Sequence, residues 1–364
     1  MSDLIPENVS RLVPYSPGKP IEELERELGI SGAIKLASNE NPLGPSPKAV
    51  EAMRAAITSV HRYPDAACFE LRKDLAAHHG ITMDEIVMGN GSNELIDLIC
   101  RTYAGPSDHA VIGAPSFVCY PLGLTAANVP FDRVPHRETV SFDLDGILAA
   151  VNERTKLVFI DNPCNPTGTH VGRAALERFL RALPEKVVAV LDEAYVHYAD
   201  ASDYTSALEL RDTRERLLVL RTFSKAYGLA AVRVGYAIGR PEVVRHLDRT
   251  RAPFNVGSVG QAAARAALTD TEYVQKVVAM NREERARVAA ALEAMIGEGV
   301  KRVAPSQTNF LFVELAMPRD AAYDALLRMG VIVRPIPVGE GWVRITIGTP
   351  AENDRLIAGL EALG

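Results

Sequence analysis

The chain has 364 residues, 47% hydrophobic and 24% charged, a composition that suits one large globular core with a smaller one beside it. Its net charge of -6 arises from 40 basic and 46 acidic residues, with the basic ones dispersed, which argues against a nucleic-acid-binding face. Cys68, Cys100, Cys119 and Cys164 show no Cys-x-x-Cys spacing and the eight histidines no His-x-x-x-His spacing, so neither a disulfide framework nor a zinc site is expected.

The start, Met1 to Glu7, lacks the basic-then-apolar pattern of a signal peptide, and no apolar run approaches the ~18 residues that cross a bilayer, so a cytoplasmic location is expected. Residues 1–38 read as an arm in which Pro14, Pro17, Gly18 and Pro20 precede a short amphipathic helix, Ile21–Leu28. Residues 39–252 alternate short apolar runs (85–88, 109–112, 156–160, 187–191, 217–220, 235–238) with helical patterns (93–103, a stretch around Tyr120, 174–183). Continuous apolar strands separated by helices predict a three-layer αβα domain around a mostly parallel sheet. Residues 253–364 change character: a long helical stretch (261–294), apolar runs at 309–313, 330–333 and 342–347, and a helix at 321–329 predict a smaller α+β domain packing with the arm. Within the long stretch, 282–287 reads as a solvated helix face with i,i+4 pairs, and Trp342 as core or subunit boundary.

Ligands of open α/β sheets sit beyond the carboxyl ends of the strands, and the unusual polar residues of this chain fall there. After Met88 comes Gly89-Asn90-Gly91-Ser92-Asn93-Glu94, where glycines permit a tight turn and the N–H groups of Ser92 and Asn93 at a helix start make an anion site. Glu94 stands where a dinucleotide fingerprint needs its third glycine, which excludes that fingerprint; plain helix capping competes with phosphate binding. After Ile160 comes Asp161-Asn162-Pro163-Cys164-Asn165-Pro166-Thr167-Gly168, in which Asn165 offers a rigid amide donor, although a Pro/Gly turn accounts for the same residues. A third segment, Leu191-Asp192-Glu193-Ala194-Tyr195, ends a buried run in two carboxylates. Asp192 requires a partner, for which a cationic ring nitrogen and a helix cap are the candidates, and Tyr195 lies close enough to share its site.

Lys225 follows the apolar run 217–220, is ringed by the hydroxyls of Thr222 and Ser224, and has Arg233 eight residues on. A lysine that condenses with a carbonyl needs a depressed pKa, supplied by partial desolvation and neighbouring cations such as Arg233. Thr222, Ser224 and Arg233 would complete the phosphate cradle begun by Gly91, Ser92 and Asn93. A buried lysine is more often salt-bridged than reactive; four such segments in register favour reactivity here.

Together with Pro14-Tyr15-Ser16-Pro17-Gly18-Lys19, Lys35-Leu36-Ala37-Ser38-Asn39-Glu40-Asn41-Pro42, Arg62-Tyr63-Pro64-Asp65 and Arg344-Ile345-Thr346-Ile347-Gly348, these motifs run nearly end to end. On them the chain resembles the fold-type I pyridoxal-phosphate aminotransferases, and among these the histidinol-phosphate aminotransferase family. The resemblance implies pyridoxal 5′-phosphate as cofactor, carried on Lys225, which then serves as general acid/base. It implies Asp192 against the pyridine nitrogen, Asn165 and Tyr195 on the phenolic oxygen, and Phe117 stacked on the ring. It further implies a homodimer in which Tyr63 reaches the neighbouring subunit's cofactor phosphate. Arg344 would fork onto a substrate carboxylate or phosphate, with Arg334, Tyr15 and Asn41 as further substrate contacts. For Tyr63, Arg334 and Tyr15 an ordinary surface role is the alternative.

Two departures from the family pattern stand out. Ala231-Val232 replaces the usual Gly-Leu ahead of Arg233, a packing change that leaves Arg233 in place. The segment 334–344 is shorter than usual in histidinol-phosphate enzymes and resembles that of aromatic aminotransferases; it borders the substrate side chain. The leading expectation is transamination between L-histidinol phosphate and 2-oxoglutarate, giving imidazole acetol phosphate and glutamate in histidine biosynthesis. An aromatic amino acid:2-oxoglutarate aminotransferase is the alternative, and a threonine-phosphate decarboxylase-like lyase a further one. A transaminase-like ligand sensor would want an added N-terminal winged helix, longer than the arm here.

Overall fold

The six apolar runs along the middle of the chain, with Phe131–Pro135 added, form the seven strands of one sheet, in the order Ile86–Gly89, Gly235–Gly239, Leu217–Thr222, Val188–Asp192, Thr155–Asp161, His109–Ala114, Phe131–Pro135. The computed structural model describes residues 4–14 and 18–364; Tyr15, expected at the substrate, lies outside them. Gly235–Gly239 pairs antiparallel with both neighbours and every other pairing is parallel.

Alternate residues of a strand face opposite ways, and here both faces are covered. Leu157, Phe159, Val190 and Leu220 enter one core with Leu95, Ile99 and Tyr120 from the helices Gly91–Tyr103 and Cys119–Ala126. Val158, Ile160, Leu191 and Val219 enter the opposite core with Leu176, Phe179 and Leu180 from Arg173–Ala182. Each such side chain contributes roughly 1.5–3 kcal/mol by leaving water, and burial on both faces is why the runs are continuous. The strand Phe131–Pro135 breaks this pattern because it is the sheet edge: of its five residues only Val134 is buried. Its polarity hid it from the apolar periodicity.

Toward the C-terminus a four-stranded antiparallel sheet runs in the order Arg334–Pro335, Trp342–Thr346, Phe310–Leu315, Val300–Val303. Leu311, Val313, Val343 and Ile345 pack against Val288 and Leu292 of the helix Thr271–Ala294, Leu326 of Arg319–Arg328, and Leu356 and Leu360 of Pro350–Glu361. The expected run at 330–333 divides: Val331–Ile332 pairs in parallel with Ile34–Lys35, which stitches the early chain to this region, while Arg334–Pro335 edges the four-stranded sheet. Val300–Val303, with Lys301 and Arg302 at its centre, is a strand that the apolar pattern did not announce.

The long helical stretch is two helices, Ser258–Thr269 and Thr271–Ala294, broken at Asp270. Aspartate competes for backbone hydrogen bonds and favours helix ends, and Asp270 also pairs with Lys48 at 3.2 Å. The segment 282–287 is a solvated face only in part: Arg282, Glu283, Ala286 and Arg287 are exposed, whereas Glu284 and Arg285 are buried. Arg285 is buried, donating to the carbonyls of Tyr198 (3.2 Å) and Thr308 (2.9 Å) and pairing with Asp200 (3.1 Å). Trp342 is core, stacked on Phe312 with ring centroids 4.2 Å apart. Among the described residues no helix is long and apolar enough to cross a membrane.

Candidate active site

Register pairs Asp161 with Asp192 and Asp192 with Leu220, so Asp161, Asp192 and Thr222 stand at the carboxyl ends of three adjacent strands, on the face that carries Phe159 and Val190. A cavity of about 310 Å³ opens there. It is lined by these strand ends, by the apolar side chains of Phe117, Val118 and Leu122, and by Asn39, Asn165, Tyr195 and Arg344.

Lys225 reaches the cavity from the turn after Leu217–Thr222, which Thr222 Oγ1 tightens by accepting the Ser224 N–H at 3.1 Å. Its Nζ donates to the Ser38 carbonyl at 3.2 Å and lies 5.7 Å from the centre of the Tyr195 ring. Desolvation, followed by the nearby Arg344, lowers its pKa from 10.5 to about 8, against the opposing pull of Glu40 and Asp192. An amine so placed is partly neutral near physiological pH and can attack a carbonyl.

Asp192 is pushed up to about 6 by burial, moderated by the Tyr120 hydroxyl, which donates to Oδ2 at 3.0 Å, and by the Ala194 N–H, which donates to Oδ1 at 3.2 Å. Such a carboxylate stabilises a cation brought to it. The Tyr195 hydroxyl, raised to about 12 by its burial, accepts from Asn39 Nδ2 at 2.8 Å. Asn165 donates its backbone N–H to Asp161 Oδ2 at 2.6 Å, and its side-chain oxygen accepts from Arg344 Nη1 at 2.6 Å, leaving the amide nitrogen to donate.

The cationic end of the cavity is built around Arg233, which holds a left-handed backbone conformation (φ 56°) that few non-glycine residues adopt. Its guanidinium donates to Ser224 Oγ (3.2 Å) and to the Ala230 carbonyl (2.9 Å). It passes beneath Gly91, where φ is 75° and a Cβ would meet that guanidinium and force it to shift. Ser92 and Asn93 open the helix Gly91–Tyr103 at the same end, where the first N–H groups lack intrahelical partners. Glu94 turns away, accepting from the Asn90 N–H (2.5 Å) and Asn255 Nδ2 (2.6 Å).

Ser92, Asn93, Phe117, Asn165, Asp192, Tyr195, Thr222, Ser224, Lys225, Arg233 and Arg344 all line one cavity. Asn41 does not line it: its amide donates to the Gly44 and Ala226 carbonyls and accepts from the Leu43 N–H, so it shapes the loop instead. Asn39, two residues earlier, is the asparagine that reaches the cavity. Arg334 lies opposite Arg344 in the strand register, beside the lining rather than in it. Tyr63 is 83% exposed, stacked on Phe254 with centroids 4.7 Å apart, and is not among the residues that line this chain's cavity. Sequence reasoning missed Asn39, Asp161 and Tyr120, although the first two lie inside motifs it singled out.

The family described as aminotransferase class I and II matches residues 31–360. The chain belongs to that class, whose members are pyridoxal-phosphate-dependent transferases. Within the class it belongs to the histidinol-phosphate aminotransferase family. It is 46% identical over 361 residues to histidinol-phosphate aminotransferase of Anaeromyxobacter sp. strain Fw109-5, covering 98% of each chain. It is equally 46% identical to histidinol-phosphate aminotransferase 2 of Pseudomonas aeruginosa, covering 98% of this chain and 95% of that one. The fold is also that of the Sinorhizobium meliloti histidinol-phosphate aminotransferase solved in complex with pyridoxal-5′-phosphate, with a TM-score of 0.89 at 29% identity over 100% of this chain and 99% of that one.

Proposed function

We propose that the protein transfers the amino group of L-histidinol phosphate to 2-oxoglutarate, giving imidazole acetol phosphate and glutamate, with pyridoxal 5′-phosphate held in the cavity described above. One observation carries the reading: a single cavity presents an amine (Lys225), a buried carboxylate (Asp192), an amide (Asn165) and a cationic cradle (Arg233 with Ser92, Asn93, Thr222 and Ser224). These are complementary, in turn, to the cofactor's aldehyde, ring nitrogen, phenolic oxygen and phosphate. The pocket that Gly91 leaves for Arg233 is further support, because it brings a guanidinium to a helix start, where an anion is favoured.

Bound there, the cofactor supplies an electron sink for the carbanion at the substrate's Cα. The side chains do the rest. Lys225 would hold the cofactor until substrate arrives and then, as a free amine, take the proton from the substrate's Cα and deliver it to the cofactor's C4′ carbon. Asp192 would keep a cationic ring nitrogen beside it favourable, Asn165 and Tyr195 would hold the phenolic oxygen, and Phe117 would pack on the ring. Arg344 receives a substrate anion, and Arg334, in register beside it, puts a second guanidinium within the same strand pair.

The reading includes an arm (1–38), a large cofactor domain (39–252) and a small domain (253–364), a cytoplasmic location, and a homodimer in which Tyr63 contributes to the partner's site. The exposure of Ile57 (61%), Val60 (59%) and Tyr63 in one short segment supports the dimer, since apolar groups clustered at a surface suit an interface. The apolar wall of Phe117, Val118 and Leu122 would also take an aromatic side chain, which keeps the aromatic aminotransferase as the second reading. Saturation kinetics with histidinol phosphate and with phenylalanine separate the two. A kcat/KM higher for histidinol phosphate is expected; a preference for phenylalanine by about tenfold, ~1.4 kcal/mol, overturns the first reading.

A further inference from the structure

The ends of Thr155–Asp161 and Val188–Asp192 hold two carboxyl groups where the cofactor cage needs one. Asp161 and Asp192 are in register on parallel strands that run ~4.8 Å apart, and each is 3% exposed. Their partners differ. Asp192 accepts from the Tyr120 hydroxyl and the Ala194 N–H. Asp161 accepts at Oδ2 from the Asn165 N–H, while its Oδ1 is buried with no donor to satisfy it. An unsatisfied buried carboxylate oxygen is costly, whereas a protonated one beside a second carboxylate has an acceptor at hand.

We propose that Asp161 is a positioning residue of this site, a neutral carboxylic acid that donates from Oδ1 to the Asp192 carboxylate while its Oδ2 holds the Asn165 backbone. Two carboxyl groups in register on neighbouring strands do not both ionise cheaply, and the proton falls to Asp161, whose Oδ1 no hydrogen bond satisfies and which has no hydroxyl donor like that of Tyr120. Burial, reinforced by the charge on Asp192, pushes Asp161 up to about 8, while Asp192 stays near 6. The other titratable groups around the pair leave this division intact. Tyr120, from the helix Cys119–Ala126, and Cys164, from the Asn165 loop, are both pushed well up by burial, and Tyr195 is raised to about 12, so all three keep their protons; the Cys164 thiol is a weak donor to Asp161 and offsets its rise only in small part. Lys225 is the nearby cation and acts on Asp192. One side chain thus steadies two groups that face the cofactor, and Asp192 remains the lone negative charge between the strands.

The test has two arms, of which only the second rests on the proposed function. Infrared difference spectra of the enzyme at pH 7, wild type minus Asp161→Asn, read the carbonyl stretch of a protonated carboxyl. One such band is expected in the wild type and lost in the variant; its absence from the wild type means that Asp161 is ionised and overturns the proposal. In the second arm, pyridoxal phosphate affinity is measured for Asp161→Asn and Asp161→Ala. The carboxamide can accept from Asn165 and donate to Asp192 where the acid does, so Asp161→Ala is expected to bind about tenfold more weakly than Asp161→Asn. Equal affinities within threefold overturn the positioning role. If neither the wild type nor the variants bind the cofactor, the functional reading falls and the infrared band still decides the carboxyl pair.

Discussion

Arg344 donates from Nη1 to the Asn165 side-chain oxygen at 2.6 Å and from Nη2 to the Ala37 carbonyl at 2.6 Å, so one guanidinium ties the C-terminal antiparallel sheet to the early chain and to the loop after Thr155–Asp161. The planar fork makes this possible, and a lysine, being a point charge, cannot reproduce it. Arg344→Lys is therefore expected to lower kcat/KM about a hundredfold, ~3 kcal/mol, through lost substrate contact and a loosened Asn165. Steady-state kinetics check this, and a fall of less than threefold removes Arg344 from the substrate site.

The amine of Lys225 sets a pH window for cofactor capture. With a pKa of about 8, about one-tenth of it is neutral at pH 7, against less than about one-thousandth for an unperturbed lysine. The neutral form attacks, so the capture rate should rise with pH and level off above about 8. Because the folded pKa lies below the unfolded one, the folded chain binds fewer protons between about 8 and 10.5. This group's contribution to the stability of the cofactor-free protein therefore rises with pH across that window. Stopped-flow mixing with pyridoxal phosphate reads the first effect; a rate still climbing beyond pH 10 contradicts it. Lys225→Ala should show no borohydride-reducible linkage.

The central strands were legible because burial on both faces leaves an unmixed apolar run: Leu157 and Val158 point to opposite cores, and neither can be polar. Phe131–Pro135 and Val300–Val303 were not, since edge strands with one dry position or charged centres carry no such signal. The polar lining of the cavity was legible through residue types that are expensive to bury without a purpose, such as Asp192 and Lys225. Choosing Asn41 over Asn39 depended on which amide the loop consumes, a tertiary fact. Asp161 was passed over for a related reason: its meaning comes from standing in register with Asp192, 31 residues further on in the sequence and on the neighbouring strand.

Arg285 makes a stability prediction away from the chemistry. It is 8% exposed and satisfies the Tyr198 and Thr308 carbonyls while pairing with Asp200, joining the helix Thr271–Ala294 to the segment after Tyr195 and to the approach to Phe310–Leu315. Arg285→Ala removes the donors and leaves buried acceptors behind, an expected loss of about 3 kcal/mol. Chemical denaturation measures it, and a loss under about 1 kcal/mol means that water replaces the guanidinium.

Tyr63 tests whether the site is shared between subunits. Its ring is exposed, braced on Phe254, and does not line its own chain's cavity, so a contact with cofactor phosphate is expected in a second copy. Tyr63→Ala should weaken cofactor binding about tenfold, the loss of one hydrogen bond to a charged group. Lys225→Ala should be inactive. If sites are shared, random exchange of the two variants gives hybrids in which one site carries both defects and the other carries neither. At limiting cofactor the mixture should then regain about a quarter of wild-type activity, because half of the dimers are hybrid and each has one intact site of two. A mixture that stays at the sum of its parts would mean that each chain completes its own site and that the exposed tyrosine serves only the surface.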